Sequence, residues 1–451
     1  MTSPSVSPRR ISPVRVGAAS LIGTTVEYYD FAIYGLAAAL VFPHVFFADN
    51  DPFVATILAL GTFAVGFIAR PLGGLFFGHY GDRIGRKRML VLSLFLMGVA
   101  TVLIGLLPST DRIGALAPVL LVLLRFAQGF AFGGEWGGAI LMAYESAPET
   151  RRGLFAALPQ TGPAAGILLG NIAFLAVATL PDDQLYSWGW RIPFLCSGIL
   201  VIVGLAIRAG IGESLDFEKA KEKGQTTSAP ILRAFRTSTP SILLVVGAFL
   251  GFGSLSLIAI NFLVSYGTSD SVGFSRSEIL AAVLIANAAQ LVTTPFGGVL
   301  VDRIGMARVM TISISGCIVA AAFLIYAVST GNLVLTTIGY LVCMSGFFSI
   351  GYAAQGSLFA SAFSPDVRYT GMSLGFQLSN VLGSAISPIV ATVLVRETGS
   401  VYSVILYVTV VLIISGICTA LLLVRRRRAD TGGPVSPVAG DVSDRRTTEP
   451  A

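Results

Sequence analysis

Charge is what this chain is short of: 12% of its 451 residues are Asp, Glu, Lys or Arg, against about a quarter in an ordinary soluble domain. A water-facing surface needs more, so a soluble enzyme is excluded. Histidine is scarcer still. The two present, His44 and His79, lie near helix ends and read as interfacial or loop-packing residues. The four cysteines (Cys196, Cys317, Cys343, Cys418) sit in apolar segments with neither a pairing nor a metal-ligand spacing, so they read as packing residues, and no metal or other cofactor is expected. What fills the chain instead is apolar: 54% hydrophobic residues and 50 glycines, with a mean hydropathy of +0.80. Some of the 21 prolines fall inside apolar runs, as membrane helices tolerate.

About 20 apolar residues at 1.5 Å rise cross a hydrocarbon core near 30 Å thick. Twelve such spans are expected: 16–47, 52–79, 89–107, 115–146, 153–180, 190–210, 239–266, 277–300, 309–328, 333–361, 371–396 and 401–424. Runs such as Met89 to Leu107 are apolar all round and lack the alternation of barrel strands, so the fold class is all-α and integral to the membrane. The first span follows Arg9 and Arg10 but carries Glu27 and Asp30 and outruns a signal core, so it reads as an uncleaved helix.

Of the 30 Lys and Arg, 24 fall on the side of the N-terminus, four opposite (Arg112, Arg191, Arg276, Arg396) and two inside spans (Arg70, Arg125). Both termini are therefore expected in the cytoplasm, with the protein in the cytoplasmic membrane. The net charge of +6 reflects that topology and not nucleic-acid binding. The run Arg425 to Arg428 reads as a stop-transfer anchor on anionic lipid.

The chain divides into a short N-terminal segment (1–15), a six-helix half (16–210), a polar linker (211–238), a second half (239–424) and a basic tail (425–451) expected to be disordered. Gly78, Asp82, Arg83 and Gly85 recur 220 residues later as Gly298, Asp302, Arg303 and Gly305, and Pro148 and Arg151 recur as Pro365 and Arg368. The halves are parallel repeats. Nothing calls for a second copy, and a monomer is expected.

Ionisable residues inside a span are functional candidates by default. Glu27, Asp30 and Tyr34 share one face of the first helix, and Arg125, Gln128, Phe132 and Glu135 fall in an arc of about 80° on the fourth. At 1.5 Å per residue Glu27, Arg70 and Glu135 share a level, with Asp30 nearer the midplane, so these charges read as one cluster. Its acids outnumber its bases, which leaves a carboxylate to carry protons: Asp30 first, then Glu135 and Glu27. The structural alternative is that Arg70 merely neutralises Glu27 or Glu135. Arg125 either holds a substrate carboxylate with its two-pronged donor or adjusts a neighbouring acid. The second half offers only amides well inside its spans: Asn287 and Gln290 on one face, Gln377 and Asn380 on another. These either read substrate in a central cavity or bond between helices. Arg70, Tyr34 and Gln128 complete the candidate substrate set.

The motif Gly78-His-Tyr-Gly-Asp82-Arg83-Ile-Gly85-Arg86-Lys87-Arg88 resembles the loop signature of the major facilitator superfamily, and Arg125-Phe-Ala-Gln128-Gly129 its fourth-span motif. Glu27-Tyr-Tyr-Asp30-Phe, Ala69-Arg70-Pro71, Gly133-Gly-Glu135-Trp136-Gly-Gly138 and Trp188-Gly-Trp190-Arg191-Ile-Pro193-Phe are similar to its metabolite:proton symporter branch. The resemblance spans about residues 16–424. It implies proton-coupled transport of a small metabolite, either an organic acid or a zwitterion of the proline or betaine kind, across a lipid bilayer. It further implies a cytoplasmic charge latch formed by Gly78, Asp82, Arg83, Gly85, Arg86, Lys87 and Arg88 with Glu149 and Arg151. A second copy at Asp302 and Arg303 has Met306 and Ala307 in place of bases and is expected to be weaker. Gly162-Pro163-Ala-Ala-Gly166 partly resembles an antiporter signature, which keeps proton-driven export as an alternative.

Overall fold

The computed structural model describes residues 12–214, 217, 218, 222 and 229–430. Among the described residues twelve long helices follow in sequence: α1 (Pro13–Leu40), α2 (Pro52–Ile84), α3 (Arg86–Leu106), α4 (Leu116–Ser146), α5 (Glu149–Ala178), α6 (Asp182–Ala209), α7 (Thr239–Gly267), α8 (Arg276–Ile304), α9 (Met306–Ser329), α10 (Leu333–Ala360), α11 (Arg368–Thr398) and α12 (Tyr402–Asp430). Eleven are long and apolar enough to span a membrane; α1, which holds the buried Glu27 and Asp30, is the other. Among the described residues there is no strand.

Local chemistry sets the helix ends. Asp51 accepts from the amides of Phe53 (2.9 Å) and Val54 (3.4 Å) with Pro52 behind it, an N-cap with proline in the first turn. Ser275 and Glu278 form a capping box on α8. At the repeated turn Gly85 and Gly305 have φ of 120° and 87°, which a side chain would resist. The π-helical turns 185–189, 258–262, 341–348 and 380–385 interrupt α6, α7, α10 and α11.

Helices α1–α6 form one bundle and α7–α12 the other, joined chiefly where α2 and α4 meet α11 and α5 meets α8 and α10. In the first bundle α2 and α4 touch backbone to backbone. A Cβ on Gly73 would strike the carbonyl oxygen of Phe130, one on Gly133 that of Arg70, and one on Gly129 the backbone of Gly66. The largest apolar cluster runs through the second bundle and takes in Phe77, Trp136 and Ile140 of the first.

Three expected boundaries change. Residues 211–214 are not a free linker: Glu213 folds back to accept from the amides of Arg86 (3.0 Å) and Lys87 (3.1 Å), capping α3. Residues Pro230–Thr237 form a helix of their own. Helix α12 runs on through Arg425 to Arg428, where basic side chains suit a helix C-terminus. The expected tail beyond 430, the segment before 12, and Asp216, Lys219, Lys221 and Lys223 of the linker lie outside the described residues.

Candidate functional site

The polar stripes of α1 and α4 meet α2 at a small internal cavity, about 10 Å³, lined by Glu27, Asp30, Phe31, Arg70, Arg125 and Gln128 among others. Glu27 is fully buried, and among the described residues neither carboxylate oxygen has a hydrogen-bond partner. Arg70 makes no ion pair among the described residues; its guanidinium lies over Phe132 (3.7 Å), Phe67 (4.2 Å) and Phe31 (5.0 Å). Arg125 sits 4.0 Å over Tyr34 and 4.8 Å over Phe63, and donates to Gln128 at 3.2 Å. Aromatic faces stabilise both cations without using up their in-plane donors. Among the described residues the Nε atoms of Arg70 and Arg125 stay unbonded, and each guanidinium keeps donors for a carboxylate, although Arg125 has given one to Gln128.

Asp30 is held differently, by two hydroxyls. Thr101 of α3 donates to Oδ2 (2.6 Å) and Ser197 of α6 to Oδ1. Gln128 in turn donates to Thr101 at 2.7 Å. Tyr34 does not offer its hydroxyl to the cavity: it is buried and donates to Thr62 at 2.7 Å, so the ring alone serves the site, as a floor under Arg125.

Glu135 departs from the expected cluster. It pairs with Arg208 near the end of α6 and accepts from Ser93 at 3.1 Å. Arg208 had counted among the bases outside the membrane, yet it is buried. Its side chain is long enough to reach back past Gly23, where a Cβ would collide with it. With Arg208 counted, the candidate acids Glu27, Asp30 and Glu135 are matched by three buried bases, Arg70, Arg125 and Arg208, and among the described residues Glu27 is the one of these acids left without a hydrogen bond.

The amides of the second half do not converge on this cavity. Gln377 donates to the carbonyl of Gly133 (3.1 Å), Asn380 to that of Phe376 in its own helix (3.0 Å), and Gln290 lies 3.5 Å from Asn287. Trp136 stacks on Phe376 at 3.6 Å, ring to ring across the halves, and donates to Tyr352.

The repeated motif forms the second part of the site, at the face where most basic loops lie. Asp82 accepts from the amides of Tyr369 (3.1 Å) and Thr370 (2.8 Å) and from the Thr370 hydroxyl (2.9 Å). An acid of the first half thus caps α11 of the second. Asp302 mirrors it on α5, accepting from Gly153 (2.7 Å) and Leu154 (2.9 Å). Beside Asp82 lies a fully buried acid that sequence reasoning missed, Glu145, paired with Arg86 of its own half and with Arg368 of the other at 2.8 Å. Glu149 and Arg151, expected there, are exposed and make no ion pair among the described residues, because they lie past the end of α4 in the 3-10 turn that opens α5. Arg83, Arg88 and Arg303 are exposed too, and Lys87 donates to the carbonyl of Ala209. At the second copy Met306 occupies the position of Arg86, and the helix cap stands without that ion pair. Among the described residues, every hydrogen bond or ion pair between the bundles lies between this basic face and the level of Gly133.

The comparisons agree with this architecture. A family model described as Major Facilitator Superfamily matches residues 20–381 and 259–442. The inner membrane metabolite transport protein YhjE of Escherichia coli (strain K12) is 39% identical, over 85% of this chain and 88% of its own. The shikimate transporter of the same organism is 36% identical over 92% and 95%, and the glycine betaine/proline/ectoine/pipecolic acid transporter OusA of Dickeya dadantii is 31% identical over 94% and 86%. Among solved structures the proton:xylose symporter XylE shares the fold, with a TM-score of 0.70 at 17% identity over 94% of this chain and 96% of that one.

Proposed function

The chain belongs to the major facilitator superfamily and is a multi-pass membrane transporter, not an enzyme; from that premise we propose that it imports a small organic acid together with protons, alternating access between the two bundles. The observation that carries the reading is the pairing, in one cavity, of two guanidinium groups with unused donors and a carboxylate, that of Glu27, with no hydrogen bond among the described residues. Arg70 and Arg125 are placed to bind the substrate carboxylate. Asp30, Glu27 and Glu135 are the acids of proton coupling, and both termini face the cytoplasm.

Net charge constrains the energetics. One positive charge moved inward through 100 mV releases about 2.3 kcal/mol, so a monocarboxylate with one proton is voltage-neutral and a dianion needs two or more protons to be accumulated. A zwitterionic osmolyte fits less well, because its cationic end wants aromatic faces and Phe31, Phe67 and Phe132 already face Arg70.

The test uses vesicles containing the purified protein and a panel of labelled carboxylates and betaines under an imposed pH gradient. A carboxylate should accumulate with co-movement of protons. Amide variants of the coupling acid should lose accumulation but keep exchange, and Arg125→Gln should lose both. Proton movement opposite to the substrate would replace import by export. Normal pH-driven accumulation in all three amide variants would make the acids structural.

A further inference from the structure

The hydrogen bonds around Asp30 have a direction, and only one end of the chain sets it. Arg125 can only donate, so the atom of Gln128 that faces it at 3.2 Å is the amide oxygen, and the amide nitrogen must point the other way, to the Thr101 oxygen at 2.7 Å. Thr101 therefore has one lone pair occupied and one hydroxyl hydrogen to place. Two acceptors lie within reach of that hydrogen: Oδ2 of Asp30 at 2.6 Å and the carbonyl of Met97, one turn back on α3, at 2.9 Å. Ser197, on the other carboxylate oxygen, has no second acceptor among the described residues.

From this geometry we infer that Thr101 is a positioning residue for proton coupling, a hydroxyl rotor that satisfies Asp30 in both of its protonation states; the inference rests on the proposed role of Asp30. When Asp30 is ionised, Thr101 and Ser197 each donate to one of its oxygens. When Oδ2 takes up a proton from the cavity side, the Thr101 hydrogen turns to the Met97 carbonyl, and the new acid O–H donates to the remaining lone pair of Thr101. Gln128 keeps its bond throughout, no proton leaves Thr101, and neither state strands a buried polar atom, which is the usual penalty for titrating a group away from water. The charged or titratable groups around Asp30 are Glu27 and Tyr29 on α1, Arg70 on α2, Arg125 on α4 and Cys196 on α6; α3 presents Thr101 and Met97, neither of which ionises.

Infrared difference titration of the full-length protein in lipid vesicles tests this with the proton as the only probe, following the carbonyl stretch of a protonated carboxyl. Asp30→Asn should delete one titrating band and so identify it. Thr101→Val removes a charge-assisted bond from the ionised form and only a weaker neutral bond from the acid form, so it should move that band's midpoint to higher pH by about one unit, equivalent to about 1.4 kcal/mol. Thr101→Ser should restore the midpoint. Ser197→Ala, a small change that is safe for folding, should move it in the same direction and keeps the test decisive if the valine variant does not fold. If Asp30→Asn deletes no band, Asp30 does not titrate and the functional reading fails with the rotor. If it deletes the band but Thr101→Val and Ser197→Ala leave the midpoint unchanged, the rotor alone is overturned.

Discussion

Glu145→Gln should open the basic face. Glu145 is fully buried and holds two arginines, Arg86 from its own bundle and Arg368 from the other, the latter at 2.8 Å, with Ser214 donating as well. An amide keeps the shape and loses the charge, so two cations, one of them wholly buried, face a neutral partner. Removing one partner of a buried pair is worth about 3–5 kcal/mol when the survivor must stay buried. Here it need not, because separation of the bundles would hydrate both arginines. The loss is therefore drawn from closure rather than from folding, and about 3 kcal/mol is roughly 150-fold in the closed-to-open ratio. Ser373 is a suitable reporter: it is buried between α4 and α11, with its hydroxyl against Gly137. With the four native cysteines replaced by serine, Ser373→Cys should react with a membrane-impermeant maleimide far faster in the Glu145→Gln background, from the basic face only. Glu149→Gln, an exposed acid of the same region, is the control. A rise of less than about threefold, or an equal rise in the control, would refute the assignment of Glu145 to the closure.

Asp82→Asn should lower turnover while leaving substrate affinity within about twofold, since the three bonds it weakens lie at the end of α11 and away from the cavity; an affinity loss with unchanged turnover in transport kinetics would contradict that. Arg208→Met leaves Glu135 buried without its cation and should lower stability by about 3–5 kcal/mol in thermal unfolding, most of it recovered by adding Glu135→Gln. If the double variant is no more stable than the single one, the pair is not what holds α6 to α4. Gly129→Ala forces a methyl against the backbone of Gly66 and should destabilise by about 1–3 kcal/mol, a loss that unaltered melting would exclude.

Much of this architecture is written in the charge pattern. Spans, repeat and signature follow from long apolar runs and from the few charges that interrupt them, and the stripes Glu27, Asp30 and Arg125, Gln128 do line one cavity. What escapes a linear reading is reach. Arg208 looks like a base outside the membrane because its Cα is near a helix end, and only the packed side chain shows it inside. Glu145 lies one turn before the acid expected in the latch, and the signal that pointed its way was the repeat that matched Arg368 to Arg151. Thr101 and Ser197 carried no signal: a hydroxyl in an apolar helix most often bonds to its own backbone, and only the fold brings these two to Asp30 from different helices.

Of the four π-helical turns among the described residues, three fall in α7, α10 and α11 of the second bundle and the fourth, 185–189, opens α6 short of Ser197, whereas the first bundle holds the ionisable residues of the cavity and is clamped by glycine contacts between α2 and α4. Such turns are places where a helix bends cheaply. The molecule thus separates compliance from precision. Most deformation can be absorbed away from the cavity of Glu27, Asp30, Arg70 and Arg125, and the bundle in which a hydroxyl must find a carboxylate to within tenths of an ångström can turn as a nearly rigid frame. A carrier built this way can cycle without disturbing the hydroxyl contacts of Asp30 at each stroke.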